Sequence, residues 1–223
     1  STTAGFSGPV EVCIDYSGIS VTDEANLKLF HFEGGSWVDV TTLLNTVNDI
    51  ICGSVTSFSL FVIAEPNRPP NCSSAAASPD MIWPPNHKLV NVEIVGVTDP
   101  DGDPVTISIT KITQDEPVNG QGGGNFEPDG AGVGTPTAQV RAERAGSGNG
   151  RVYEISFVAD DGKGGECPGS VKVCMPHDKG KKGSTCIDDG QLYDSVTGTA
   201  LAAATKPVVA AKPALFSVEN FPN

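Results

Sequence analysis

Glycine (26) and proline (17) interrupt this 223-residue chain so often that little uninterrupted length remains for helices. Each glycine in a helix interior costs about 1 kcal/mol and each proline about 3. Between the breaks lie short alternations: Val105, Ile107 and Ile109 with Thr106, Ser108 and Thr110, and Tyr153, Ile155 and Phe157 with Glu154 and Ser156. This is the period of strands with one wet face. The predicted fold class is all-β: two antiparallel β-sandwich modules with an extended C-terminal tail.

The first module, 1–65, has strand signals at Val10 to Tyr16, Asn26 to Phe32, Ser36 to Val40, Asp49 to Val55 and Phe58 to Ile63. Five strands are few for a closed sandwich, where about seven are common. Pro66, Pro69 and Pro70 make 66–71 a semi-rigid linker. The second module, 72–176, has strand signals at Leu89 to Val97, Val105 to Ile112, Ala138 to Glu143, Arg151 to Ala159 and Ser170 to Met175. Its glycine-rich stretch from Asn119 to Gly134 opens no helix, so it reads as a mobile surface loop and not as a phosphate cradle. Residues 177–197 form a disulfide-closed excursion with a solvated basic tip from His177 to Gly183. In the tail, 198–223, Pro207 and Pro213 forbid one long helix, which leaves Val208, Val209, Leu215 and Phe216 on an extended apolar segment without a home in either sandwich.

Six cysteines without a CxxC pair point to disulfides. Cys13 and Cys52 are alone in the first module and pair with each other. Cys72 with Cys167 and Cys174 with Cys186 is the favoured set for the rest, and Cys72 with Cys174 the alternative. Such bonds persist in oxidising surroundings. With Ser1 in first place and no charged-then-apolar leader, the expectation is a mature exported product at the cell surface. No apolar run approaches the roughly 20 residues of a membrane span, and a net charge of -13 repels nucleic acid.

Asp99-Pro100-Asp101-Gly102-Asp103-Pro104 carries carboxylates at alternate positions around a glycine turn, which suits a hard cation such as calcium. It is not an EF-hand, because Gly102 is fourth and Thr110 twelfth. The expected ligands are Asp99, Asp101, Asp103 and Asp161, with Asn86 as carbonyl donor, provided these loops meet at one end of the sandwich. Strand-capping Asx turns are the competing account. Asp115, Glu116, Asp160 and Asp161 supply carboxylates for a hydrolase but no cleft. No GxSxG elbow occurs, His31, His87 and His177 stand in unrelated contexts, and no catalytic residue is assigned. Trp37 and Trp83 are expected in the sandwich cores.

Three resemblances add to this. Asn67-Arg68-Pro69-Pro70, Thr98-Asp99-Pro100-Asp101-Gly102-Asp103 and Val158-Ala159-Asp160-Asp161-Gly162-Lys163-Gly164-Gly165 make the second module similar to the bacterial immunoglobulin-like and cadherin-like repeats of secreted surface proteins, which implies a calcium-stabilised or spacer role without enzymatic activity. Leu27-Lys28-Leu29-Phe30, Gly35-Ser36-Trp37-Val38-Asp39-Val40 and Val55-Thr56-Ser57-Phe58-Ser59-Leu60-Phe61 resemble the last strands of a ZU5-type sandwich. Self-cleaving relatives carry a histidine base where this chain has Ser57. Phe216-Ser217-Val218-Glu219-Asn220-Phe221-Pro222-Asn223 resembles the opening of a type IX secretion sorting domain.

Together these features predict a non-enzymatic extracellular structural protein of the bacterial cell surface, stabilised by calcium and disulfides. A module short of strands beside a homeless apolar segment predicts head-to-tail filaments of copies joined by strand donation. The alternative is an adhesive module that binds surface glycans or another partner through the glycine-rich loop and Trp83.

Overall fold

The structure, a computed structural model, describes residues 7–120, 122–124, 126–180 and 185–201. Among these the architecture is all-β, with a 3-10 turn at Glu24–Asn26 as the one helical element.

The first module contains β1 (Val10–Asp15), β2 (Lys28–Glu33), β3 (Ser36–Asp39), β4 (Thr41–Asn45), β5 (Ile50–Val55) and β6 (Phe61–Ala64). They form two three-stranded antiparallel sheets, ordered β1-β5-β4 and β3-β2-β6. Val40 is the corner between them: its N–H donates to the Leu29 carbonyl at 2.9 Å and its carbonyl accepts the Ser54 N–H at 3.1 Å. A β-carbon on Gly53 would lie 2.8 Å from Val40, so only glycine lets β5 pass this corner. Tyr16, Leu27, Leu29 and Ile51 form the core, with Ile14, Val21, Val40, Leu44, Phe61 and Ile63 packed against them. β4 was not expected, because Thr41-Thr42-Leu43-Leu44-Asn45 lacks apolar alternation and its register on β5 is irregular between Thr41 and Leu43.

The second module contains β7 (Ala76–Ser78), β8 (Leu89–Val95), β9 (Thr106–Gln114), β10 (Gly130–Ala131), β11 (Thr137–Arg141), β12 (Arg151–Asp160), β13 (Glu166–Met175) and β14 (Tyr193–Asp194). Its two sheets run β10-β11-β8-β7 and β13-β12-β9-β14. Val92, Ile109, Ile112, Val140, Tyr153, Ile155, Phe157 and Val173 fill the space between them. The excursion after β13 returns to this module: β14 pairs with β9, and the Leu201 N–H reaches the Leu192 carbonyl at 2.7 Å. Val208, Val209, Leu215 and Phe216 lie outside the described residues.

The disulfides are Cys13–Cys52, Cys72–Cys167 and Cys174–Cys186, with sequence separations of 39, 95 and 12. On chain entropy alone these are worth about 4, 5 and 3 kcal/mol. The expectation of buried tryptophans is overturned, since Trp37 is 47% and Trp83 38% exposed. Trp37 sits opposite Phe32 on the outer face of its sheet, because the inner positions belong to Leu29, His31 and Phe61.

Candidate functional site

The acidic turn after β8 lies where the two modules meet. Gly102 has φ +78°, a left-handed conformation that glycine adopts freely, and its N–H bonds the Asp99 carbonyl. Asp99 Oδ1 accepts the N–H groups of Asp101 (2.8 Å) and Asp103 (3.1 Å). The turn thereby brings one carboxylate oxygen from each of Asp99, Asp101 and Asp103 within 4.8 Å of one another.

The linker is bonded to both modules. Arg68 donates to Asp101 Oδ1 from Nε (2.8 Å) and Nη2 (2.7 Å) and to Oδ2 from its backbone (2.7 Å), while Nη1 lies 2.7 Å from Asp23 Oδ2 in the first module. Glu65 accepts the Thr22 N–H at 2.6 Å, and Asn26 reaches the Pro66 carbonyl at 3.0 Å. Asn67 donates to Asp161 Oδ2 at 2.7 Å, and Asn71 and Thr98 exchange backbone bonds. A cleft of about 230 Å³ opens here between Thr22, Glu65 and Pro66 on one side and Asn67, Asp101, Asp103 and Lys163 on the other.

The bonds from Arg68, its backbone N–H foremost, hold the Asp101 carboxyl below the usual range, and the Asn67 amide does the same for Asp161. Lys163 sits 2.5 Å from Asp103 Oδ1, which raises the lysine above its ordinary value. What remains are Asp99 Oδ2 and Asp103 Oδ2, both buried and both without a hydrogen-bond partner. Two orphaned carboxylate oxygens beside a third carboxylate are donors that fit a hard divalent cation.

Of the expected ligands, Asp99, Asp101 and Asp103 are together. Asp161 adjoins them through Asn67, with its oxygens occupied by Asn67, Lys163 and Gly165. Asn86 stands elsewhere: it precedes β8 whereas Asp99 follows it, and seven strand residues span about 23 Å. Asn86 instead caps the Lys88 N–H at 3.1 Å. Glu11, Cys13 and Cys52 also lie close together, but both cysteines are in the disulfide.

A second polar centre, absent from the sequence-based expectations, occupies the opposite end of the second module. Arg151, Asp129 and Glu143 are each 0% exposed. Arg151 Nη1 lies 2.6 Å from Asp129 Oδ2, Nε lies 3.1 Å from Glu116, and Arg141 Nε lies 3.3 Å from Asp129 Oδ1. Burial raises the Asp129 and Glu143 carboxyls above their usual values. His87, at φ +61°, bonds Glu143 Oε2 from Nδ1 at 3.0 Å and stacks on Phe126 with centroids 4.5 Å apart. Gly123 packs over Glu143 and Gly124 over His87, so these two residues of the glycine-rich stretch rest on the module. Asp115 and Glu116 belong to this end and not to the acidic turn: they accept the Val152 and Ala145 N–H groups at 2.9 and 2.6 Å.

No protein-family model matches this sequence, and no curated protein matches it significantly. The fold and junction define a class: an all-β protein of two disulfide-stapled antiparallel modules joined by a hydrogen-bonded, proline-rich linker. Three disulfides fit an extracellular or other non-cytoplasmic setting, and no helix among the described residues is long and apolar enough to cross a membrane.

Proposed function

We propose that this chain is a non-enzymatic structural protein of the bacterial cell surface. Its two sandwiches act as a spacer of fixed geometry, stabilised by disulfides and by calcium at the inter-module turn, and copies associate head to tail by strand donation. One observation carries the spacer role: Arg68 ties Asp23 of the first module to Asp101 of the second. Surface ion pairs are worth only about 0–1 kcal/mol each, but a shared guanidinium fixes direction as well as energy.

Calcium would be held by Asp99 and Asp103, whose buried Oδ2 atoms have no donor, with Asp101 beside them. The ion would supply the positive charge that Arg68 and Lys163 only partly provide. Calorimetric titration of chelator-treated protein tests this: heat of binding and a raised melting temperature are expected. Small-angle scattering of Arg68→Ala without calcium should show a broader range of inter-module angles than the unmodified chain, and unchanged scattering would sink the spacer reading.

The binding alternative has its own observation. His87 and Phe126 stack, bringing the Trp83-Pro84-Pro85-Asn86-His87 corner and the glycine-rich loop together beside an exposed Trp83. A strained non-glycine backbone is common at binding sites. A glycan array with Trp83→Ala as control tests it: saturable binding lost in the variant favours this reading.

A further inference from the structure

The first module has an open seam. Through the Val40 corner its sheets form one curled ribbon, β1-β5-β4/β3-β2-β6, and among the described residues β1 and β6 each pair on one side only. Every pairing is antiparallel and β3 runs on into β4, so β1 and β6 point the same way. Both ends of the ribbon are therefore parallel edges, and one strand antiparallel to both would close it without a free edge.

The hydrogen-bonding groups are directed for it. Tyr16 donates to the Asp49 carbonyl on the β5 side, so strand alternation turns the backbone groups of Glu11, Cys13 and Asp15 toward the seam. Phe32 donates to the Leu60 carbonyl, which likewise turns those of Phe61 and Ile63 to it. Side chains agree: Val10, Val12 and Ile14 on β1 and Phe61 and Ile63 on β6 are half-buried, and Val10 and Val12 lie outside the core cluster.

We propose that this seam receives one strand from residues 202–223 of a second copy, running antiparallel to β1 and β6, with Phe216 and Val218 turned inward. This rests on the strand-donation reading above and names its acceptor. Charge favours that occupant. Up to residue 64 the chain has one lysine, Lys28, and no arginine against seven carboxylates, whereas 202–223 carries Lys206 and Lys212 against Glu219. Phe216 and Val218 alternate with Ser217 and Glu219, as a strand with one buried face requires.

The test uses the full chain: particle size by light scattering and electron microscopy, with deuterium exchange at the amides of Glu11, Asp15, Phe61 and Ile63. Assemblies in which these amides exchange about tenfold or more slowly than in the dilute monomer are expected. Glu11→Pro removes a donor that faces the seam, a place where an edge strand tolerates proline, and should abolish both assembly and protection. Should that variant misfold, a synthetic peptide of residues 206–220 serves instead, capping unmodified chains as monomers with the same amides protected. Filaments whose seam amides exchange freely would overturn the seam and leave the filament reading standing. A monomer protected only when peptide is added would overturn the filament reading and keep the seam. Seam amides already protected in the dilute monomer would overturn the second copy as occupant, and a chain that neither assembles nor binds peptide would overturn the proposal entirely.

Discussion

His31 Nε2 lies 2.9 Å from the Ser59 hydroxyl, joining β2 to the residues that lead into β6. Ser59 also donates to the Phe32 carbonyl, so its one proton is committed and the proton between the pair comes from the ring. The imidazole is buried and stacked on Phe61, and its Nδ1 has no hydrogen-bond partner. A bare lone pair costs less there than an unpaired N–H, which assigns the Nε2–H tautomer and makes His31 a donor. Nitrogen NMR of the ring should show Nε2 protonated, and Ser59→Ala should lose about 1 kcal/mol of stability. Mass spectrometry should find the Phe58–Ser59 bond intact after long incubation. A fragment beginning at Ser59 would make His31 a base and reverse this assignment.

Lys163 and calcium would compete for Asp103. Lys163→Ala removes the ammonium beside Asp103 Oδ1 and should tighten calcium binding several-fold. Asp99→Asn and Asp103→Asn each remove a ligand charge and should weaken it by about tenfold or more, roughly 1.4 kcal/mol. Asn86→Ala should leave it unchanged. Calorimetry on the four variants and the unmodified chain checks the ordering, and equal affinities would remove the site.

The strands with clean alternation, β9 and β12, and the favoured disulfide pairing were legible in the sequence because local period and cysteine placement encode them. β14 was not, because two residues carry no period and its place depends on β9. Asp99, Asp101 and Asp103 were readable as one loop, whereas Asn86 was misplaced because sequence proximity says nothing about which end of β8 a residue occupies. Arg151, Asp129 and Glu143 escaped notice for a different reason. Charged residues are presumed solvated, and only the tertiary fold shows three of them with no exposed surface.

Asp115 confers a pH dependence. Burial, together with the neighbouring Glu116, raises its carboxyl to about 6. A folded value above the unfolded one favours the protonated form, so this stabilisation is present below about pH 4 and is lost as pH rises toward 6. Asp115→Asn keeps an acceptor for the Val152 N–H without the charge. Denaturant titrations at pH 4 and 7 should show the variant gaining about 1–2 kcal/mol over the unmodified chain between the two. An unchanged difference would show that the carboxylate is already solvated.

Arg151 is the cation on which the buried cluster depends. Arg151→Met removes the nearer of the two guanidiniums beside Asp129, whose other partner is Arg141, and leaves Glu143, 3.9 Å from the lost guanidinium, with its hydrogen bond to His87. Removing one member of a buried ion pair costs about 3–5 kcal/mol, mostly because the other charge is left behind. That origin gives the loss a pH signature. Protonating Asp129 and Glu143 removes the stranded charge, and burial already pushes both carboxyls upward. The deficit of Arg151→Met should therefore shrink as pH falls from 7 to 4, and Arg151→Met combined with Asp129→Asn should be more stable at pH 7 than Arg151→Met alone. Thermal melts across that range decide it: a deficit independent of pH would mean that Arg151 contributes packing and not charge compensation.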